Sequence, residues 1–209
     1  HPSDAQTQAM GLGKQGKDEC WLVLDAEPQA RLAIGFRQRI DAKTMREAAS
    51  DGSIEDLLMW HPVVAGDVFY IPANTVHAIG GGLTLVEVQQ NSDMTYRLYD
   101  YGRPRELHLD QGVSVASGEP YPEGLKQNVC GLGTVRLVDG PYFRLDLLDS
   151  AADAAARDRY RGALLVLPLD CTVRLDDTTV SPGQCGLAED IEHMSMAGPG
   201  RCLIAQPLH

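Results

Sequence analysis

A chain of 209 residues with 44% apolar content is long enough to bury a core of its own, which excludes a disordered or purely solvating role. Its 29 acids outnumber its 18 bases, for a net charge of −11 and a pI near 4.9; a broad nucleic-acid or anionic-membrane surface needs the opposite sign, so neither partner is expected. The longest apolar run, 162–169, is broken by Pro168 and falls short of the roughly 18 residues of a bilayer span, so a soluble, cytoplasmic protein is expected.

The chain opens on His1-Pro2, without an initiator Met or a signal-like segment, and reads as a cut chain lacking an N-terminal segment. β-Branched, alternating or continuous apolar residues predict strands at 20–24, 33–36, 67–71 and 83–89. Within 41–60, Ala-, Met- and Leu-containing segments are divided by Asp51-Gly52, and Ser53 precedes Ile54-Glu55-Asp56 as an N-cap; two short helices are predicted. Residues 103–128, rich in Pro, Gly and Glu, read as a long connection. Beyond it, strands are predicted at 135–138, 143–148, 162–167, 171–175 and 202–205, with a helix or an Ala/Asp-rich loop at 151–157. Gly and Pro punctuate the runs at turn spacing, which predicts a β-sandwich or barrel and not βαβ units. Cys20, Cys130, Cys171, Cys185 and Cys202 form no CxxC pair, so reduced, mostly buried thiols are expected in place of a disulfide framework.

The two β-rich stretches show a faint internal likeness. Trp21-Leu22-Val23-Leu24 resembles Leu164-Leu165-Val166-Leu167, and Val64-Ala65-Gly66-Asp67 resembles Ser181-Pro182-Gly183-Gln184. The predicted helices occupy the longer interval of the first copy. Aligning Gly66 with Gly183 sets Met194 opposite His77, so the second copy is expected to have lost its site.

The most informative segment runs from Gly66-Asp67-Val68 to Pro72-Ala73-Asn74-Thr75-Val76-His77. It resembles the second cupin motif, in which a Gly begins a strand, a Pro starts a turn and a His follows on the next strand. Such a turn reverses the chain and lets His77 point into a barrel, where imidazole suits a borderline divalent metal. A core histidine fits the same spacing. Further on, alternation sets Leu85, Glu87 and Gln89 on one face, able to line a wet barrel mouth.

Together, His1-Pro2-Ser3-Asp4, Gly16-Lys17-Asp18-Glu19-Cys20-Trp21, the His77 segment and the run from Glu87 to Arg103 resemble the mannose-6-phosphate isomerases of the bacterial type I group. That family carries, in this order, Gln-x-His-Pro, Lys-x-Glu, Pro-x4-His and a late Arg. The resemblance implies a mainly β, double-stranded β-helix (cupin, or jelly-roll) fold in two cupin-like halves. The first, 1–110, would be the metal-binding catalytic half, with its helical insertion near 41–60; the second, 111–209, would be a linker and a degenerate half. It implies that His1, Glu19 and His77 ligate one divalent metal per chain, typically zinc, with a fourth ligand, a Gln, expected upstream of His1. Two histidines and a carboxylate with an open position also meet the bare requirements of a catalytic metal site.

The implied reaction interconverts mannose 6-phosphate and fructose 6-phosphate through an enediol(ate). Arg97 and Lys17 match family cations and would serve in catalysis and in binding the phosphorylated hexose, with Lys14, Arg103 and Arg105 as further candidates for the phosphate. The proton-transfer base is open between Glu87, a metal-bound water and Lys17. Nothing in the sequence fixes an oligomeric state. Two rival readings keep the fold: a cupin metal oxygenase and a non-catalytic sugar-binding cupin. The oxygenase triad normally includes a His-x-Asp/Glu or His-x-His pair, whereas the candidate ligands here are 18 and 58 positions apart.

Overall fold

The computed structural model describes residues 1–129 and 133–208; Cys130 lies outside the described residues. The chain divides into two compact units, His1–Asn128 and Val129–His209.

The first unit begins with a helix that the sequence reading missed, α1 (Asp4–Ala9), closed at its start by a reciprocal capping box between Ser3 and Gln6. The predicted strands follow as β1 (Glu19–Ala26), β2 (Arg31–Phe36), β4 (Asp67–Ile71) and β6 (Leu83–Gln89), with three short strands between and after them, β3 (Leu58–Pro62), β5 (His77–Ile79) and β7 (Lys126–Asn128). All pairings are antiparallel, and the two sheets have the orders β6-β1-β4-β7 and β3-β2-β5. The run Cys20-Trp21-Leu22-Val23 is buried throughout because β1 is a central strand covered on both faces. Trp21, Val23 and Phe69 of the first sheet share one core with Leu32 and Ile34 of the second.

The two predicted helices are α2 (Ala42–Asp51) and α3 (Ile54–Leu57), and a third, α4 (Leu109–Val115), packs with them over Ala33 and Phe36. Asp41 caps α2, and Gly52 ends it in the left-handed region at φ 87°. Ser53 does not cap α3: its amide and hydroxyl both donate to Asp51 Oδ1, two residues back, so the local Asx-type turn takes the side chain that the helix would have used. Residues 109–128, read from sequence as part of a connection, instead contribute α4 and β7 to the first unit.

The second unit contains β8 (Val135–Asp139), β9 (Phe143–Leu148), α5 (Ala154–Arg159), β10 (Leu164–Pro168), β11 (Val173–Leu175), β12 (Thr178–Val180), β13 (Gly186–Ala188), β14 (Met194–Met196) and β15 (Cys202–Pro207). Its sheets have the orders β13-β10-β15-β9-β8 and β12-β11-β14. The pairings repeat those of the first unit: β10 lies between β13 and β15 as β1 lies between β4 and β6, and β11 between β12 and β14 as β2 between β3 and β5. Gly66 and Gly183 both turn at positive φ, 91° and 82°, ahead of the corresponding strands. His77 opens β5 and Met194 opens β14, as the sequence alignment sets them. The helices α2 and α3 separate β2 from β3, whereas β11 and β12 form a tight hairpin.

The mainly β expectation therefore holds. Among the described residues, Cys20, Cys171, Cys185 and Cys202 are free thiols, and only Cys185 is exposed. No helix of the described residues is long and apolar enough to cross a membrane.

Candidate metal centre and its cleft

Glu19 is the first residue of β1 and His77 the first of β5, while His1 stands just ahead of α1. The three converge, each with one ligand atom within 4.8 Å of the others; it is the one such cluster of three potential donors among the described residues. His1 Nε2 lies 3.1 Å from Glu19 Oε1, and His77 Nε2 lies 3.5 Å from Glu19 Oε2. Each imidazole is oriented through its other nitrogen: His1 Nδ1 lies 2.9 Å from the Met94 carbonyl, and His77 Nδ1 2.9 Å from the Thr75 carbonyl. A carbonyl only accepts, so both Nδ1 atoms donate and both Nε2 atoms present a lone pair, the arrangement that metal-ligating histidines adopt.

The electrostatics agree with a cation site. Burial alone would raise the Glu19 carboxyl, which is 1% exposed, but the His1 and His77 imidazoles beside it and the hydrogen bond that Lys17 donates to it hold it well below the usual carboxylate range. Burial pushes His77 down to about 4, against the opposing pull of Glu19, so its imidazole is neutral and available as a ligand near neutral pH. Glu19 Oε2 is buried and accepts no hydrogen bond, a vacancy in bonding that an ion would fill. Two imidazole nitrogens and one carboxylate suit a borderline divalent metal. The residues present thus fit such an ion.

The catalytic candidates gather around this cluster. Lys17, 8% exposed, pairs through Nζ with Glu19 and, at 3.4 Å, with Glu87. Glu87 Oε2 accepts from Trp21 Nε1 at 3.2 Å, a contact set up by the β1/β6 register, in which Trp21 and Glu87 are direct partners. Arg97 is half-buried and donates through Nη1 to the Glu106 carbonyl at 3.0 Å. All six residues line one cleft of 550 Å³. Arg103 and Arg105 line it too: Arg105 forks onto Asp100, and Arg103 lies over the Tyr101 ring, 5.6 Å from its centroid. Lys14 is not brought to the site. It is exposed after α1, outside the cleft lining.

Asp18 and Asn74 escaped the sequence reading. Asp18, 7% exposed, accepts from Tyr70 Oη at 2.5 Å and from the Ala73 amide at 2.9 Å, while its own amide donates to Gln90 Oε1 at 2.9 Å. It thereby ties the start of β1 to the turn that precedes His77. The only signal in the sequence is an acid wedged between Lys17 and Glu19, facing opposite to both in strand alternation.

No family model matches the chain. In sequence it is similar to the mannose-6-phosphate isomerase of Streptococcus mutans serotype c, with 40% identity over 141 residues, 63% of this chain and 44% of that protein. It is 35% identical over 170 residues to the mannose-6-phosphate isomerase of Bacillus subtilis, covering 76% of this chain and 53% of that relative. The chain spans about half the length of these curated relatives. Among solved structures, the Bacillus subtilis mannose 6-phosphate isomerase matches with a TM-score of 0.77 at 24% identity, over 99% of this chain and 69% of that one. A zinc-bound, holo mannose 6-phosphate isomerase matches with a TM-score of 0.67 at 16% identity, over 99% of this chain and 74% of its own. In sequence the chain is thus similar to mannose-6-phosphate isomerases over 63% and 76% of its own length, and it shares the cupin fold of the solved ones.

Proposed function

We propose that this chain carries the catalytic centre of a zinc-dependent aldose-ketose isomerase that interconverts mannose 6-phosphate and fructose 6-phosphate. The observation that carries the reading is the convergence of His1, Glu19 and His77, with an unsatisfied Glu19 oxygen, in the same cleft as Lys17, Glu87 and Arg97. The relatives' names and the zinc in the holo structure support the substrate and the metal.

Held by His1, Glu19 and His77, a divalent ion would supply positive charge to a developing oxyanion without taking up a proton. The chain's own residues must do the rest: bind a dianionic sugar, move a proton between C2 and C1, and surround the enediol(ate) with fixed donors. Glu87 is our candidate base. Its side chain is 30% exposed to the cleft, against 1% for Glu19, and its carboxylate is aimed by Trp21 Nε1 and Lys17 Nζ. Arg97 is the candidate for charge stabilisation: a carbonyl orients its guanidinium without cancelling its charge. In a protein of net charge −11 the phosphate must be met locally, and with Lys14 outside the cleft this falls to Lys17, Arg97 and the rim cation Arg103. The reduced thiols suit a cytoplasmic compartment.

The test is a coupled assay for fructose 6-phosphate formation on the protein stripped with a chelator and then reloaded. Turnover is expected to vanish on stripping and to return with zinc. A zinc-loaded preparation that turns over no phosphorylated aldose would sink the enzyme reading and leave a sugar-binding cupin.

A further inference from the structure

We infer that Asn74 is a positioning residue that sets the metal affinity of the site by gripping the main chain of His1, an inference that rests on the reading of His1, Glu19 and His77 as a metal site. Asn74 is one of the few residues other than glycine at positive φ, 73°, and that conformation turns both its amide and its side chain toward the first residue of the chain. Its main-chain N–H donates to the His1 carbonyl at 2.7 Å, and its Nδ2 donates to the same oxygen at 3.2 Å. Nδ2 also donates to Gln6 Oε1 at 2.7 Å, the oxygen on which the Ser3 amide of the α1 capping box converges at 2.8 Å. The Asn74 carbonyl accepts from the Ser117 amide at 2.8 Å, which anchors the turn from the other side.

The consequence for the site is geometric. Among the described residues, His1 is held by two partners distant in sequence. Its ring is held at Nδ1 by the Met94 carbonyl and its backbone at the carbonyl by Asn74, so two points on one residue define where Nε2 sits. Asn74 is also three residues ahead of His77 on the same turn. One side chain therefore bridges two ligand-bearing segments that are 73 positions apart. The residue type is specified twice over: asparagine tolerates the left-handed region and offers two amide donors, whereas Asp lacks the donors, Gly lacks the side chain and Ala lacks both advantages.

Zinc affinity of the full chain, measured by competition with a chromophoric chelator, tests this. Asn74→Gly keeps the backbone conformation and removes both side-chain bonds; Asn74→Asp keeps the shape and removes the donors. Each is expected to bind zinc about 10-fold more weakly than the parent, as second-layer changes at metal sites do. The effect should disappear in a His1→Ala background, which a general loss of stability would not do. Parent-like affinity in both Asn74 variants, or an equal loss with and without His1, overturns the inference while leaving the metal site standing. If His1→Ala itself leaves zinc affinity unchanged, the metal-site reading fails and the inference falls with it. Should Asn74→Gly not fold, the Asn74→Asp comparison decides.

Discussion

An imidazole binds a metal only through a free lone pair, and in this chain main-chain carbonyls at Met94 and Thr75 direct both lone pairs to Glu19. The cations beside them divide by partner. Lys17 is engaged with Glu19 and Glu87, whereas Arg97 is oriented by the Glu106 carbonyl, which leaves its charge for a ligand. If Arg97 stabilises charge that develops only during the reaction, Arg97→Ala should lower kcat by about 10²-fold or more, the usual cost of removing one such donor, and leave zinc content unchanged. Metal analysis beside steady-state kinetics checks this; an unchanged kcat would remove Arg97 from the mechanism. At this scale the sequence was partly legible. His77 stands out because a Gly, a Pro and a His at fixed spacing describe a turn and the strand after it. His1 was legible through the family resemblance alone, since one His before a Pro has no local pattern. Asp18 and Asn74 were invisible because their partners are main-chain groups 55 and 73 positions away, which no spacing in the sequence reports.

Continuous apolar residues made β1 and β15 easy to read, because a strand covered on both faces is apolar without interruption, whereas β6 and β9 were legible through polar residues set among apolar ones. The strands of three residues, such as β5, β7 and β12, have no room for a period and exist only because a neighbour pairs with them. One feature of β2 was hidden inside a correctly read strand. Gly35 sits at φ 68° where the β2/β3 register shifts between Ala33 and Phe36, and its amide donates to the Val76 carbonyl, beside His77. A Cβ there would lie 2.5 Å from the Tyr121 main-chain nitrogen, which cannot rotate away. Gly35→Ala therefore meets both an unfavourable backbone conformation and a rigid neighbour, and should destabilise the protein by about 1–3 kcal/mol. Denaturant unfolding should show a lower midpoint with an unchanged slope. A midpoint equal to the parent's would mean that the strand can flatten, and that the bulge is not needed to bring Val76 and His77 alongside Ile34.

The repeated strand order raises the question of how many metal ions one chain holds. If both units kept the chemistry with the topology, two would bind. Among the described residues, however, the clustered donors belong to the first unit. β10, the counterpart of β1, reads Leu164-Leu165-Val166-Leu167-Pro168 and carries no carboxylate. Met194 opens β14 where His77 opens β5, and a thioether is a poor ligand for zinc beside imidazole and carboxylate. His193, one position earlier, faces solvent with Nδ1 2.9 Å from Asp176. That hydrogen bond and the Asp176 charge raise its pKa, so it holds its proton to higher pH than an ordinary histidine, and a protonated imidazole binds no metal. The surface pair it makes is present below that raised value and is lost as pH rises through it. We therefore propose that the second half is degenerate as a metal site, and expect one zinc per chain. Titration of the metal-free protein should reach saturation at one equivalent. His77→Ala should abolish that binding, and His193→Ala should leave it intact. A second equivalent that survives His77→Ala would place a working site in the repeated half and overturn the asymmetry argued from Met194 and β10.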